Sequence, residues 1–199
     1  MRTAILTVAA LLAAGAATAQ PVGGDRADDL LFAARGQAIA LSAELSERDR
    51  EILVQVIDLA ETQLRQPLYW YSSIAYSPDD GLLEEPGPIS AANHHGVAAA
   101  DRAALAACDA ARRAGTRPCR IAARVLPRGY EARPLELSLG ATTAFRETYR
   151  RERGEKALSI SPLSGQFAIA TGPGAAAQAV AQCNARSRGA NDCVTVIAD

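Results

Sequence analysis

Lysine occurs once in this chain, at Lys156, and histidine only at the adjacent positions His94 and His95. A single lysine leaves one candidate for Schiff-base chemistry. Two histidines with no third ligand at a recognisable spacing give no metal motif. No Cys-x-x-Cys occurs among the four cysteines. That removes the local geometry that lowers a thiol pKa in redox proteins, and the close ligand pairs of a four-cysteine zinc site. Missing too are the phosphate-binding Gly-x-x-x-x-Gly-Lys-Ser/Thr pattern, a twelve-residue calcium loop and a Gly-x-Ser-x-Gly nucleophile elbow. No apolar run approaches the roughly 20 residues of a membrane-spanning helix. The 21 basic residues, all but one of them arginine, nearly balance the 22 acidic ones. Such a balance exerts no general pull on nucleic acid or anionic membrane.

What is present begins with an export signature. Arg2 opens the chain, residues 5–14 are apolar, and Ala17-Thr18-Ala19 forms a small-x-small cleavage site before Gln20. Cleavage there would remove Arg2 and no acid, taking the net charge from -1 to -2. No cysteine follows the site, so a lipid anchor is not indicated. The expected compartment is the periplasm or the exterior, where disulfides persist.

The remaining chain is organised by a stretch that occurs twice. Ile74-Ala75-Tyr76-Ser77-Pro78-Asp79-Asp80-Gly81 is answered by Leu158-Ser159-Ile160-Ser161-Pro162-Leu163-Ser164-Gly165. An Ala-rich helical stretch containing Cys108 or Cys183 follows each copy. A β-like run opened by Cys119 or Cys193 comes next. From turn glycine to helix cysteine the first copy spans nine more positions than the second, and this longer stretch contains both histidines. Each copy reads as a strand–strand–helix–strand unit. One unit would bury little apolar surface alone, so the two are expected to share a sheet or core.

Ahead of the units, Leu30, Leu31, Ala34, Ala38, Leu41 and Leu45 suit one helix over 26–45. Ser46 and Asp49 suit the cap of a second helix, striped by Ile52, Leu53, Val56, Ile57, Ala60 and Leu64 and ended by Gln66-Pro67. Between the units, 140–153 reads as a helix with Phe145 and Tyr149 four apart on its inner face. The expected organisation is therefore a signal peptide (1–19), a helical hairpin (20–66), a first repeat (67–127), a connector with a helix (128–155) and a second repeat (156–199). The fold class is α+β.

Four cysteines allow three pairings. The local one, Cys108 with Cys119 and Cys183 with Cys193, gives each unit its own staple. His94 and His95 are the candidates for general acid–base work, since histidine titrates near neutral pH without help. On a strand the two rings would point to opposite faces and could not grip one metal ion. Tyr69, Trp70 and Tyr71 could form a binding platform for carbohydrate or peptide, or could pack in the core. Gly172-Pro173-Gly174 before a helix could expose N–H groups to an anion. Asp79, Asp80, Glu84 and Glu85 could attract a cation.

The pattern of an apolar-Ala-apolar-Ser-Pro start, an Ala-Cys helix and a Cys-apolar-apolar strand resembles a family of small exported bacterial domains of unknown function. Ser159 departs from it where the family has alanine. The chain as a whole, including Glu131-Ala132-Arg133-Pro134-Leu135, is similar to uncharacterised exported alphaproteobacterial proteins, some of which carry the label 5-aminolevulinic acid synthase. That label implies pyridoxal phosphate on a Schiff-base lysine within a large cofactor fold, and Lys156 is the one lysine here. The resemblance supports fold and compartment, and supplies no catalytic residue. The expected protein is an exported, disulfide-stabilised binding or structural module without cofactor or metal. Its partner would be a protein or an envelope component. The alternative is a small periplasmic enzyme using His94 or His95.

Overall fold

In each unit the segment leading into the Ser-Pro turn becomes the central strand of a sheet. β2 (Ser72–Tyr76) precedes the first turn and β5 (Lys156–Ile160) the second. Both carry four consecutive buried residues, the pattern of a strand covered on both faces. The computed structural model describes residues 20–62, 68–187 and 189–199; the signal sequence expected over 1–19 and the Gln66-Pro67 helix stop lie outside them.

The first sheet adds β1 (Gln37–Leu41), β3 (Ile89–Ala91) and β4 (Arg120–Pro127) in the order β1-β4-β2-β3. The second adds β6 (Phe167–Thr171) and β7 (Val194–Ala198) in the order β6-β5-β7. All these pairings are antiparallel. In both units the central strand is flanked by the next strand on one side and the strand after the helix on the other. The ladder slips at matching places: between Ile74 and Ala75 against β4, and between Leu158 and Ser159 against β7. The helices α3 (Val97–Ala111) and α5 (Ala175–Arg186) lay alanines and a cysteine on their sheets. Ala104 and Cys108 pack with Ala75, Ala175 and Ala179 with Ala157 and Ala170, and Cys183 with Ala168. Small side chains let helix and sheet approach closely.

The fold is α+β, but the two units do not pool their strands. They form separate sheets and meet through the connector and the loops around His95. The nine additional positions of the first unit are also divided. Gly81 lies eight positions before β3, whereas Gly165 lies two before β6; α3 reaches its cysteine in eleven positions and α5 in eight. The stretch from strand start to helix start is equal in both. The histidines therefore sit in a segment common to the two units, outside the inserted residues.

The helix expected over 26–45 does not form as one element. α1 (Gly24–Leu30) stops early, Gly36 turns the chain at φ +72°, and 37–41 runs as β1 along β4. Gln-Ala-Ile-Ala-Leu fits a period of two as well as a helical stripe, and the exposed edge of β4 decides between them. α2 (Glu47–Thr62) does form, capped as expected. The Ser46 hydroxyl accepts from the Asp49 N–H at 3.1 Å and donates to its carboxylate at 2.7 Å. α2 covers the first sheet with Leu53 and Ile57 against Ile74, Ala123 and Val125.

Among the described residues 20–62, β1 therefore separates the two helices α1 and α2. Residues 22–31 belong to the second unit, whereas Phe32 and Gly36 meet Trp70 of the first. Val22 bridges β7 in parallel, with N–H and C=O bonded to Val196 and Ala198 at 3.0 Å each. Ala27 and Leu31 enter a core with Phe145, Tyr149, Leu158 and Ile197. α4 (Leu139–Glu147) and a 3-10 turn (Tyr149–Arg151) form the connector's helical part, and Phe145 stacks on Tyr149 at 5.3 Å, both fully buried.

Candidate functional site

The histidine loop is pinned to the start of β2. Asn93, at φ +63°, gives its N–H to the Ser72 hydroxyl at 3.2 Å, and the His94 N–H reaches the Tyr71 carbonyl at 3.1 Å. This directs His95 into the joint between the units. Its Nδ1 accepts the Ser138 N–H at 3.2 Å, and its Nε2 donates to the Gln166 carbonyl at 3.1 Å. Only the neutral tautomer with hydrogen on Nε2 satisfies both contacts. The ring also stands edge-on to Phe167 at 6.4 Å. Burial pushes its pKa down to about 4, against hydrogen bonds from the second unit that favour the charged form. His95 ties the first unit to the cap of α4 and to the turn leading into β6.

The same joint depends on Gly165. Its φ is +68°, and a Cβ there would lie 2.4 Å from the Asn93 carbonyl oxygen. Two backbones meet at a distance only glycine allows. Gly81, at the matching turn of the first unit, has open space around it.

His94 is placed differently. It is buried, its Nδ1 has no hydrogen-bond partner among the described residues, and burial followed by Arg102 lowers its pKa. Asp101, near both histidines in sequence, accepts the Ser73 hydroxyl at 2.6 Å and a two-pronged contact from Arg124 at 2.8–3.1 Å. Among the described residues no three histidine, cysteine or acidic side chains cluster to hold a metal ion.

Tyr69, Trp70 and Tyr71 lie before β2, and the structure does not bring them together as a platform. Tyr69 is 42 % exposed, whereas Trp70 and Tyr71 are buried. The Trp70 indole donates to the Gly36 carbonyl at 2.9 Å and meets Phe32 edge-on. Tyr71 meets Tyr130 edge-on, and burial followed by Glu136 raises its phenol pKa. Arg133 covers Phe32 at 3.6 Å. These aromatics are a core where the early chain, the first sheet and the connector meet.

Glu85 is exposed, and most of the other candidates have internal partners. Glu155 accepts the Gly174 and Ala175 N–H groups at 2.9 and 3.2 Å, filling the anion position at α5. Asp79 is held by Arg117 at 2.6 Å and Asp80 by Arg113, contacts that lower both carboxyl pKa values. Lys156 lies 3.0 Å from the Glu152 carbonyl, 3.4 Å from Asp199 and over the Tyr149 ring. Its surroundings are a chain-closing contact, and they do not fit a Schiff-base cofactor.

Both local disulfides are formed, with Cα separations of 6.1 Å for Cys108–Cys119 and 6.0 Å for Cys183–Cys193. Sequence reasoning missed what positions them. Asp109 accepts the Cys119 N–H, and Asn184 the Cys193 N–H, at 3.0 Å each. In both units the residue after the helix cysteine holds the backbone of its partner. The signal was legible as Cys-Asp and Cys-Asn at matching places.

No protein-family model, curated protein or solved structure matches the chain. Among the described residues no helix is long and apolar enough to cross a membrane.

Proposed function

We propose that this chain is an exported, disulfide-stabilised module of the periplasm that binds a protein or envelope component without catalysing a reaction. The observation that carries this reading is the engagement of His95. This candidate base uses both ring nitrogens to hold backbone groups of other segments. The two local disulfides suit an oxidising compartment. The same reading takes the units as copies of one domain, supported by their shared strand order, matching ladder slips and Cys-Asx contacts.

The surface offered to a partner is the long connection of the first hairpin. It runs over 77–88, against 161–166 in the second unit. It presents Leu83, 69 % exposed, beside a cleft lined by Arg48, Asp49, Ile52 and Asp80. An apolar side chain flanked by charges suits a partner of mixed character. Tagged, disulfide-intact protein captured from a native periplasmic extract tests this, with an unrelated exported protein as control. A stoichiometric partner lost with Leu83→Asp is the expected result. A chain found in the cytoplasm with reduced thiols, or a partner insensitive to that change, rejects it.

The enzyme reading rests on the unpartnered Nδ1 of His94. It requires an activity that His94→Gln abolishes while the fold is kept.

A further inference from the structure

We propose that β1 is a self-pairing edge, through which two copies of the chain join their first sheets into one antiparallel sheet. The proposal goes beyond the binding role above and does not depend on it. The Ser42 N–H bonds the Ala122 carbonyl at 2.8 Å, in step with a register that pairs Ala40 with Arg124 and Ala38 with Leu126. Alternation in an antiparallel ladder then turns the N–H and C=O groups of Ile39 and Leu41 away from β4. Among the described residues nothing bonds them.

This edge carries none of the usual guards. Gln-Ala-Ile-Ala-Leu contains no charge and no proline, and its pairing with β4 runs without a bulge. Ala38, Ile39 and Ala40 are exposed, Ile39 by 40 %. The other margins are blunted. Val22 occupies the outer side of β7, Arg186 donates to the Phe167 carbonyl at 2.8 Å on β6, and β3 has three residues.

The occupant is a second copy because the strand is nearly its own antiparallel complement. A twofold axis through Ile39 sets Ile39 against Ile39 and Ala38 against Ala40. The outward-facing groups of Ile39 then bond across the axis. Ile39 shares its face with Val125 and Leu41, the face that α2 covers. Along that flank runs a groove lined by Leu41, Arg50, Glu51, Val54 and Gln55. So short a seam and a shallow groove bury less than a standard interface of about 1,600 Å², so the dimer is concentration-dependent.

Sedimentation velocity of the disulfide-intact protein from about 1 μM to about 1 mM is the test. The sedimenting mass is expected to double across the series. Ile39→Lys puts a charge in the seam, and Ile39→Pro removes only an outward N–H. Each should weaken association at least about tenfold, while Leu163→Lys, exposed on the second unit, leaves it unchanged. Under mild oxidation Ile39→Cys should cross-link to a covalent dimer faster than Leu163→Cys. A protein monomeric throughout, a dimer insensitive to both Ile39 changes, or cross-linking no faster at position 39 overturns the proposal. So does a monomer that instead accepts a foreign extended peptide along β1.

Discussion

At His95 one imidazole joins three segments far apart in sequence, and its charge state decides whether the joint holds. Protonation would turn Nδ1 into a donor facing the Ser138 N–H. With a folded pKa of about 4 and an unfolded value near 6.5, the unfolded chain takes up the proton first as pH falls. The contribution is therefore complete above about pH 6.5 and is lost progressively toward pH 4, by at most about 3 kcal/mol. Urea midpoints at pH 7.5 and pH 4.5 measure that slope. His95→Gln should flatten it substantially, leaving the smaller part from His94, and an unchanged slope rejects this role. The histidine pair was visible in the sequence as a reactive-looking spot. Its meaning was not, because both partners of His95 are backbone groups, and backbone groups leave no trace in residue identity.

Among the elements, the two Ser-Pro turns share a sequence pattern and differ in surroundings. Gly81 and Gly165 have φ values of +79° and +68°. Gly81→Ala should cost the conformational penalty alone, roughly 1–2 kcal/mol. Gly165→Ala adds a collision with the Asn93 carbonyl and should cost at least about 2 kcal/mol more. Chemical denaturation of both variants compares them directly, and equal losses would reject the close backbone contact. Strands, helices and cysteine pairing from β2 to β7 were legible because turn residues, alternation and the paired cysteines agreed. β1 was not. Its Ala-Ile-Ala-Leu run satisfies two periods at once, and only the neighbouring strand selects one.

For the whole molecule, residues 22–31 close the second unit, not the first. Asp28 links Arg146 and Arg150 at 2.6 and 2.7 Å, the Gly24 N–H meets Asp199, and Leu31 lies in the core of α4 and β5. Leu31→Ala should cost about 2–4 kcal/mol. Hydrogen exchange should rise in β5 and β7 more than in β1, although β1 is its neighbour in sequence; the reverse pattern would reject the assignment. Residue order was enough for the α+β class, the two local disulfides, the capped α2 and the placing of Phe145 and Tyr149 on one helix face. Each of these rests on contacts between residues close along the chain. Tertiary structure alone decided that the sheets stay separate, that residues 22–31 close the second unit, that Trp70 and Tyr71 are core, and that His95 is a joint. Those outcomes depend on which distant surfaces meet, and a periodic pattern records only that a face is apolar, not what covers it.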